Sequence, residues 1–169
     1  PFFIVVSGLP GTGKSYFSRK LVERLPCIMV ESDALRKVLF PSPSYSAEEN
    51  QRLFQTLHLL IEELLGKGVP VLMDATNLIE HHRERLYRIA VRLRLKLIIV
   101  RVEAPAGLVR ERLQGRAGDA DVQDNSDAGW GIYQMMKPTV QKIRRQHFAV
   151  DASRDISPVI DKIIRELKR

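Results

Sequence analysis

Gly8-Leu9-Pro10-Gly11-Thr12-Gly13-Lys14-Ser15 is the stretch that decides how this 169-residue chain folds. It matches in full the G-x-x-x-x-G-K-S pattern of a phosphate-binding loop, the Walker A motif. It also lies where the physics requires, after the apolar run Phe2–Val6 and before the amphipathic stretch Lys14–Leu25. The glycines let the backbone wrap a polyphosphate with converging N–H groups, while the helix that begins near Lys14 points its positive dipole end at the same charge. Lys14 is expected on the β- and γ-phosphate oxygens of ATP and the Ser15 hydroxyl in the shell of a Mg²⁺ shared with them. Gly8, Pro10, Gly11, Thr12 and Gly13 form the rest of the nucleotide cradle, with Tyr16 just beyond it. The competing reading is a glycine-rich turn that merely joins strand to helix.

Outward from the loop, apolar runs rich in β-branched residues recur at Cys27–Val30, Val69–Met73, Leu97–Val102 and His147–Val150. Between them lie amphipathic stretches at Ala47–Leu65, Glu80–Leu93, Gly107–Arg116 and Pro158–Leu167. Strands that alternate with helices predict a parallel sheet covered on both faces, in a single domain over 1–169. Ser46 with Glu49 predicts a capping box, and Ser157 before Pro158 an N-cap ahead of a first-turn proline. The polar segment between Gly115 and Gly131 reads as a mobile flap, with the lid over 112–131. Its aspartates Asp119, Asp121, Asp124 and Asp127 do not form a calcium loop, because Asp124 stands where the sixth-position glycine would be needed. Trp130, Tyr133 and Met136 are expected to anchor the flap to the core.

Two strand ends carry further chemistry. Asp33 and Arg36 follow the second strand, three apart, so they share one face of a helical turn at the edge where open α/β sheets bind ligands. Asp33 is placed to take a proton from a hydroxyl attacking the γ-phosphate, and Arg36 to hold an anionic group on the acceptor. The alternative is that Ser32 or Asp33 only caps the short helix. Asp74 ends the third strand in the Walker B form and is expected to serve Mg²⁺ or its waters. Asn77 either hydrogen-bonds the acceptor or caps the next helix. Arg112 and Arg116, four apart before the flap, are positioned to stabilise charge on the transferring phosphoryl group. Arg83, Arg85, Arg88, Arg92, Arg94 and Lys96 make a basic stripe that is either a solvated face or a track for nucleic-acid phosphates.

Composition narrows the classes. A formal charge of +7 favours polyanionic partners without choosing among ATP, phosphorylated metabolites and nucleic acid. No apolar run approaches the roughly 20 residues that span a bilayer, so no membrane role is expected and the cytoplasm is the expected compartment. The start on an apolar strand without Met suggests a sequence that is either trimmed or cut from a longer polypeptide, and membership of a longer chain or complex stays open. The single cysteine, Cys27, reads as a small buried hydrophobe, and the four histidines show no metal-ligand spacing.

Taken together, Gly8–Ser15, Asp33 with Arg36, Asp74-Ala75-Thr76-Asn77 and the Arg112/Arg116 lid resemble the P-loop proteins described as predicted kinases, labelled AAA-type ATP-binding domains. That family is similar to the kinase domain of phage polynucleotide kinases. The resemblance implies a three-layer P-loop fold with sheet order 2-3-1-4-5, Asp33 as general base, Arg36 on the acceptor, a lid arginine at Arg112 or Arg116, and Ser153 and Arg154 beside the adenine. The function expected is transfer of the γ-phosphoryl group of ATP to an acceptor hydroxyl. A polynucleotide 5′-end and a small molecule such as a nucleoside, sugar or antibiotic both stay open as acceptors, as does a non-catalytic ATP switch.

Overall fold

The first strand, β1 (Phe2–Ser7), explains the layering, because its consecutive apolar side chains point alternately to opposite faces and every one from Phe3 to Val6 is buried. The computed structural model describes residues 1–115 and 126–169. Within them β1, β2 (Ile28–Glu31), β3 (Val71–Asp74), β4 (Lys96–Glu103) and β5 (Phe148–Asp151) form one sheet in the order β2-β3-β1-β4-β5, with every pairing parallel. This is the expected order. Phe3 and Val5 face a core layer with Leu53, Leu57 and Ile61 of α3 (Ala47–Gly66) and with Leu86, Tyr87 and Ala90 of α4 (Glu80–Arg92). Ile4 and Val6 face the other layer, with Phe17 and Leu21 of α1 (Lys14–Arg24) and with Ile160, Ile163 and Ile164 of α7 (Ser157–Lys168). Each buried Leu or Ile contributes about 1.5–3 kcal/mol, so the spacing of four along Leu53, Leu57, Ile61 and Leu65 suffices to fix which face of α3 meets the sheet.

Between β2 and α3 lies α2 (Ser32–Leu39), and after β4 come α5 (Ala106–Gly115) and α6 (Ser126–Met136). Val109 and Leu113 of α5 pack with Tyr133 and Trp130 of α6 and with Leu9 of the phosphate loop, and the Trp130 and Tyr133 rings stack at 5.1 Å. Two of the three expected flap anchors therefore hold α5, α6 and the loop together, while Met136 turns to a different cleft. The part of the expected lid from 126 to 131 is helical, and Arg116, Asp119, Asp121 and Asp124 lie outside the described residues.

Helix starts differ from expectation in detail. Ser46 caps α3 by accepting from the Glu49 N–H at 3.1 Å, but the Glu49 carboxylate does not return to Ser46. It accepts instead from the backbone N–H groups of Ser44 and Tyr45, each at 2.8 Å. At α7 the Ser157 N–H donates to Asp155 at 3.0 Å, so the aspartate satisfies that end of the helix and Ser157 is already inside it. Cys27 is half-buried beside the α1/α7 layer, where burial pushes its thiol up to about 11. No helix among the described residues is long and apolar enough to cross a membrane.

Candidate nucleotide and acceptor site

The loop between β1 and α1 is shaped by close approach. A Cβ on Gly8 would lie 2.6 Å from the Val102 carbonyl oxygen of β4, so only glycine lets the chain leave the sheet there. Gly13 is the N-cap of α1 with φ of 99°, a left-handed conformation that exposes the first N–H groups of the helix to the loop. The Thr12 hydroxyl donates to the Leu9 carbonyl at 2.6 Å, which closes the loop on itself. Lys14 Nζ lies 3.4 Å from the same carbonyl.

Beneath the loop, the Ser15 hydroxyl donates to Asp74 Oδ2 at 3.1 Å. Asp74 ends β3 beside Glu31 of β2 and is 5% exposed. Burial pushes its carboxyl above the ordinary aspartate range, and the nearby Asp33 charge adds to the rise, against the pull of Lys14, of the Ser15 hydrogen bond and of Arg19. A hydroxyl beside a carboxylate is the hard oxygen set that Mg²⁺ takes, and a cation there would relieve the buried charge. Among the described residues there is no group of three or more His, Cys, Asp or Glu side chains that would hold a metal by itself. The raised carboxyl has a consequence for stability. The folded state binds the Asp74 proton more tightly than the unfolded chain, so the stability this group supplies is complete below the unfolded-chain pKa and is lost as pH rises through the folded one. Asp74→Asn should therefore stabilise the ligand-free protein at pH 7, on the order of 1 kcal/mol, while harming function. Melting temperatures of both proteins at pH 4 and pH 7 check this: the gain should shrink at the lower pH, and a variant less stable at pH 7 would count against it.

Asp33 sits in the first turn of α2 and is exposed. The N-cap of that helix is Glu31, and no side chain makes a capping bond there, so neither Ser32 nor Asp33 has the capping role. Arg36 is buried and clamps the α2–α3 connection, donating to Glu49 and to Asn50 Oδ1 at 2.6 Å each and lying over the Tyr45 ring at 4.7 Å. Those contacts commit both terminal nitrogens within the protein and leave Nε buried without a partner. Asn77 stands at φ of 48° and staples β1 to the turn after β3: its Nδ2 donates to the Val6 carbonyl at 3.0 Å, and its own carbonyl accepts from Ser7 Oγ and from Arg83 Nη1. It is not a cap, since α4 begins after Ile79.

The basic stripe of α4 is broken up. Arg83 is fully buried, bonded to Glu80, to Asn77 and to the carbonyls of Gln141 and Lys142, and Arg92 pairs with Glu62 of α3. On the far side, Arg112 of α5 reaches the loop, with Nη1 3.4 Å from the Gly11 carbonyl and Nη2 3.5 Å from that of Ala152. Bonds of that length are weak, so the guanidinium rests at the mouth of the cradle without being locked there. Tyr16 and Arg154 line a shallow cleft of about 300 Å³ on the outer end of α1, and Ser153 closes a turn onto Asp151 at 2.5 Å.

Sequence reasoning missed a cavity of ligand size. A cleft of about 690 Å³ opens between α3 and α4, and its α3 wall is Asn50, Gln51, Phe54, Gln55 and His58. Thr76, Asn77, Leu78 and Ile79 form its floor, and His82, Arg85 and Leu86 its α4 wall. The signal was present as a second, polar stripe on α3 beside the leucines of the core. Thr76 joins the two halves of the site, because its carbonyl accepts from the Gly8 N–H at 3.0 Å and from Ser7 Oγ at 2.9 Å while the residue lines the cleft.

A family model described as AAA domain matches residues 3–148. No curated protein matches the sequence. Solved structures resemble the chain along nearly its whole length. Kti12 of Chaetomium thermophilum in complex with ADP-AlF3 superposes with a TM-score of 0.73 at 21% identity, over 98% of this chain and 98% of that one. A gluconokinase from Sinorhizobium meliloti 1021 gives 0.68 at 22%, over 100% and 93%. The APS kinase CysC of Mycobacterium tuberculosis in complex with AMPPNP and APS gives 0.68 at 19%, over 99% and 98%. At these identities the likeness is one of fold.

Proposed function

The chain belongs to the AAA-domain family, and from that membership and its site we propose that it is an ATP-dependent phosphotransferase acting on a hydroxyl of a small acceptor held between α3 and α4. The observation that carries this reading is the Thr76–Asn77 turn, which is bonded to the start of the phosphate loop and forms the floor of the 690 Å³ cleft. A cradle for a donor phosphate and a half-open cleft of ligand size share the Thr76–Asn77 turn.

The chemistry assigns a role to each group. The loop amides and Lys14 bind the β- and γ-phosphates, and Tyr16, Ser153 and Arg154 bound the nucleoside side. Mg²⁺ arriving with ATP would be held by Ser15 and, directly or through water, by Asp74, and supplies charge neutralisation on the phosphates. The acceptor oxygen forms a bond to the γ-phosphorus, the bond from that phosphorus to the β–γ bridging oxygen breaks, and ADP leaves with its electron pair. The acceptor proton passes to the Asp33 carboxylate. Arg36, through Asn50, and Asn77, through Val6, shape the acceptor side. Arg112 stabilises the charge that develops on the transferring group, with Arg116 as a second candidate outside the described residues. Arg112→Ala should lower turnover by up to about 10³-fold with little change in ATP affinity. Turnover within a factor of two of the parent would remove Arg112 from this role.

A polynucleotide 5′-hydroxyl is the second reading, favoured by the +7 charge. Of the stripe that would track a backbone, Arg83 is buried and Arg92 is paired with Glu62, whereas Arg85, Arg88, Arg94 and Lys96 are exposed and in no ion pair with another described residue. Incubation with γ-labelled ATP and Mg²⁺ against 5′-hydroxyl oligonucleotides, nucleosides, sugars and sugar acids tests both readings. Label on a small acceptor supports the first, label on oligonucleotides alone supports the second, and ATP binding without label on any acceptor overturns both in favour of a switch.

A further inference from the structure

We propose that the α3–α4 cleft selects an acceptor that carries an anionic group in addition to its reacting hydroxyl, with Arg85, His58 and His82 as the recognition set; this rests on the phosphotransferase reading. The residues that line the cleft include these three and no aspartate or glutamate. One arginine, two histidines and neutral polar groups converge on a space that no carboxylate lines, and a concavity of that kind favours an anion.

Arg85 is the decisive member. On α4, Arg83 is paired with Glu80 and Arg92 with Glu62, whereas Arg85 and Arg88 make no hydrogen bond or ion pair with another described residue, and of these two Arg85 lines the cleft. It is exposed, and it faces the cleft from α4 one turn after His82. His58 comes from the opposite wall on α3. Burial holds the His58 imidazole below the ordinary histidine range, the Arg85 and His82 charges press the same way, and Glu62 opposes them. His58 on one wall and His82 and Arg85 on the other line the same cleft. An anion seated among the three would reverse that repulsion, whereas a neutral ligand would not.

The remaining lining says what the rest of the acceptor looks like. Phe54, Leu78, Leu86 and Met136 give one part of the cleft an apolar surface, and the side-chain amides of Gln51 and Gln55 offer donors and acceptors beside it. That suits a small molecule with a compact, partly apolar or planar body, and about 690 Å³ lies within the range that encloses such a ligand.

The test uses matched pairs that differ in charge: a nucleoside 3′-monophosphate against the nucleoside, and a hexonic acid against the hexose. Binding to the protein loaded with a non-hydrolysable ATP analogue is measured by calorimetry, and phosphoryl transfer is measured on the same pairs with ATP. At least one anionic member should bind tenfold or more tighter than its neutral partner, the scale of one charge-assisted contact. Arg85→Ala, at an exposed position, should erase that preference and leave the affinity for the ATP analogue unchanged. His58→Gln with His82→Gln should weaken it in the same direction. The proposal is overturned if no anionic member binds, if neutral members bind as tightly, or if the preference survives Arg85→Ala. Preferential binding without any transfer supports the recognition set and overturns the phosphotransferase reading, whereas transfer indifferent to acceptor charge and to Arg85→Ala does the reverse.

Discussion

Lys14→Ala is expected to weaken ATP·Mg²⁺ binding by tenfold or more and to reduce phosphoryl transfer by at least about 10³-fold, the scale of losing a preorganised charge at the transferring group. From Gly8 to Ser15 no other side chain is cationic. The loop amides remain in the variant, and they bind phosphate by dipoles alone, which is why some affinity should persist when transfer does not. Lys14 also opposes the rise of the Asp74 carboxyl, so its removal should push that carboxyl higher still and lessen its grip on a divalent cation. Nucleotide titration with and without Mg²⁺ separates the two effects: the Mg²⁺-dependent part of the affinity should fall most. Lys14→Arg restores charge with a larger planar head, and should recover binding more than turnover. Parental affinity and activity in Lys14→Ala would remove the centre of the nucleotide reading.

How much of this was legible in the sequence depends on the range over which each interaction acts. The order β2-β3-β1-β4-β5 followed from the resemblance, and the layering from apolar runs such as Phe2–Val6, whose every residue has a face to bury. The nucleotide cradle was legible because its parts are contiguous and its backbone constraints, at Gly8 and Gly13, are properties of single residues. Arg36 and Arg83 were not, because their partners come from distant segments. A basic residue beside a strand end has the same appearance in a sequence whether it awaits a ligand or is sealed against Glu49 and Asn50, and only the fold of α3 decides. Arg83 reads in the sequence as part of a stripe that is either a solvated face or a nucleic-acid track, yet it is buried because the Asn77 turn and the carbonyls at 141 and 142 arrive around it. The cleft was missed for the same reason, since His58 and His82 are on different helices and become neighbours only when α3 and α4 pack on one face of the sheet.

Asp33→Asn gives the sharpest separation between a catalytic and a structural role. The substitution keeps size and hydrogen-bonding capacity but cannot accept the acceptor proton, so transfer should drop by roughly 10²–10⁴-fold. Stability should change little. Asp33 does not cap α2, it makes no hydrogen bond with another described residue, and the loss of a negative charge in the first turn costs only about 0.3–1 kcal/mol. ATP affinity should hold, because Lys14, Ser15 and the loop amides carry the nucleotide. There is also a readout independent of turnover. The Asp33 charge is one of the causes that raise the Asp74 carboxyl, so the variant should bring the Asp74 pKa down toward the ordinary aspartate range, visible by carboxyl-carbon NMR across a pH titration. A fall in transfer with that shift, in a folded and ATP-binding protein, places Asp33 next to the reacting groups and gives it the base. Undiminished transfer with the same shift would leave Asp33 as a nearby charge only, and the proton would then need another acceptor.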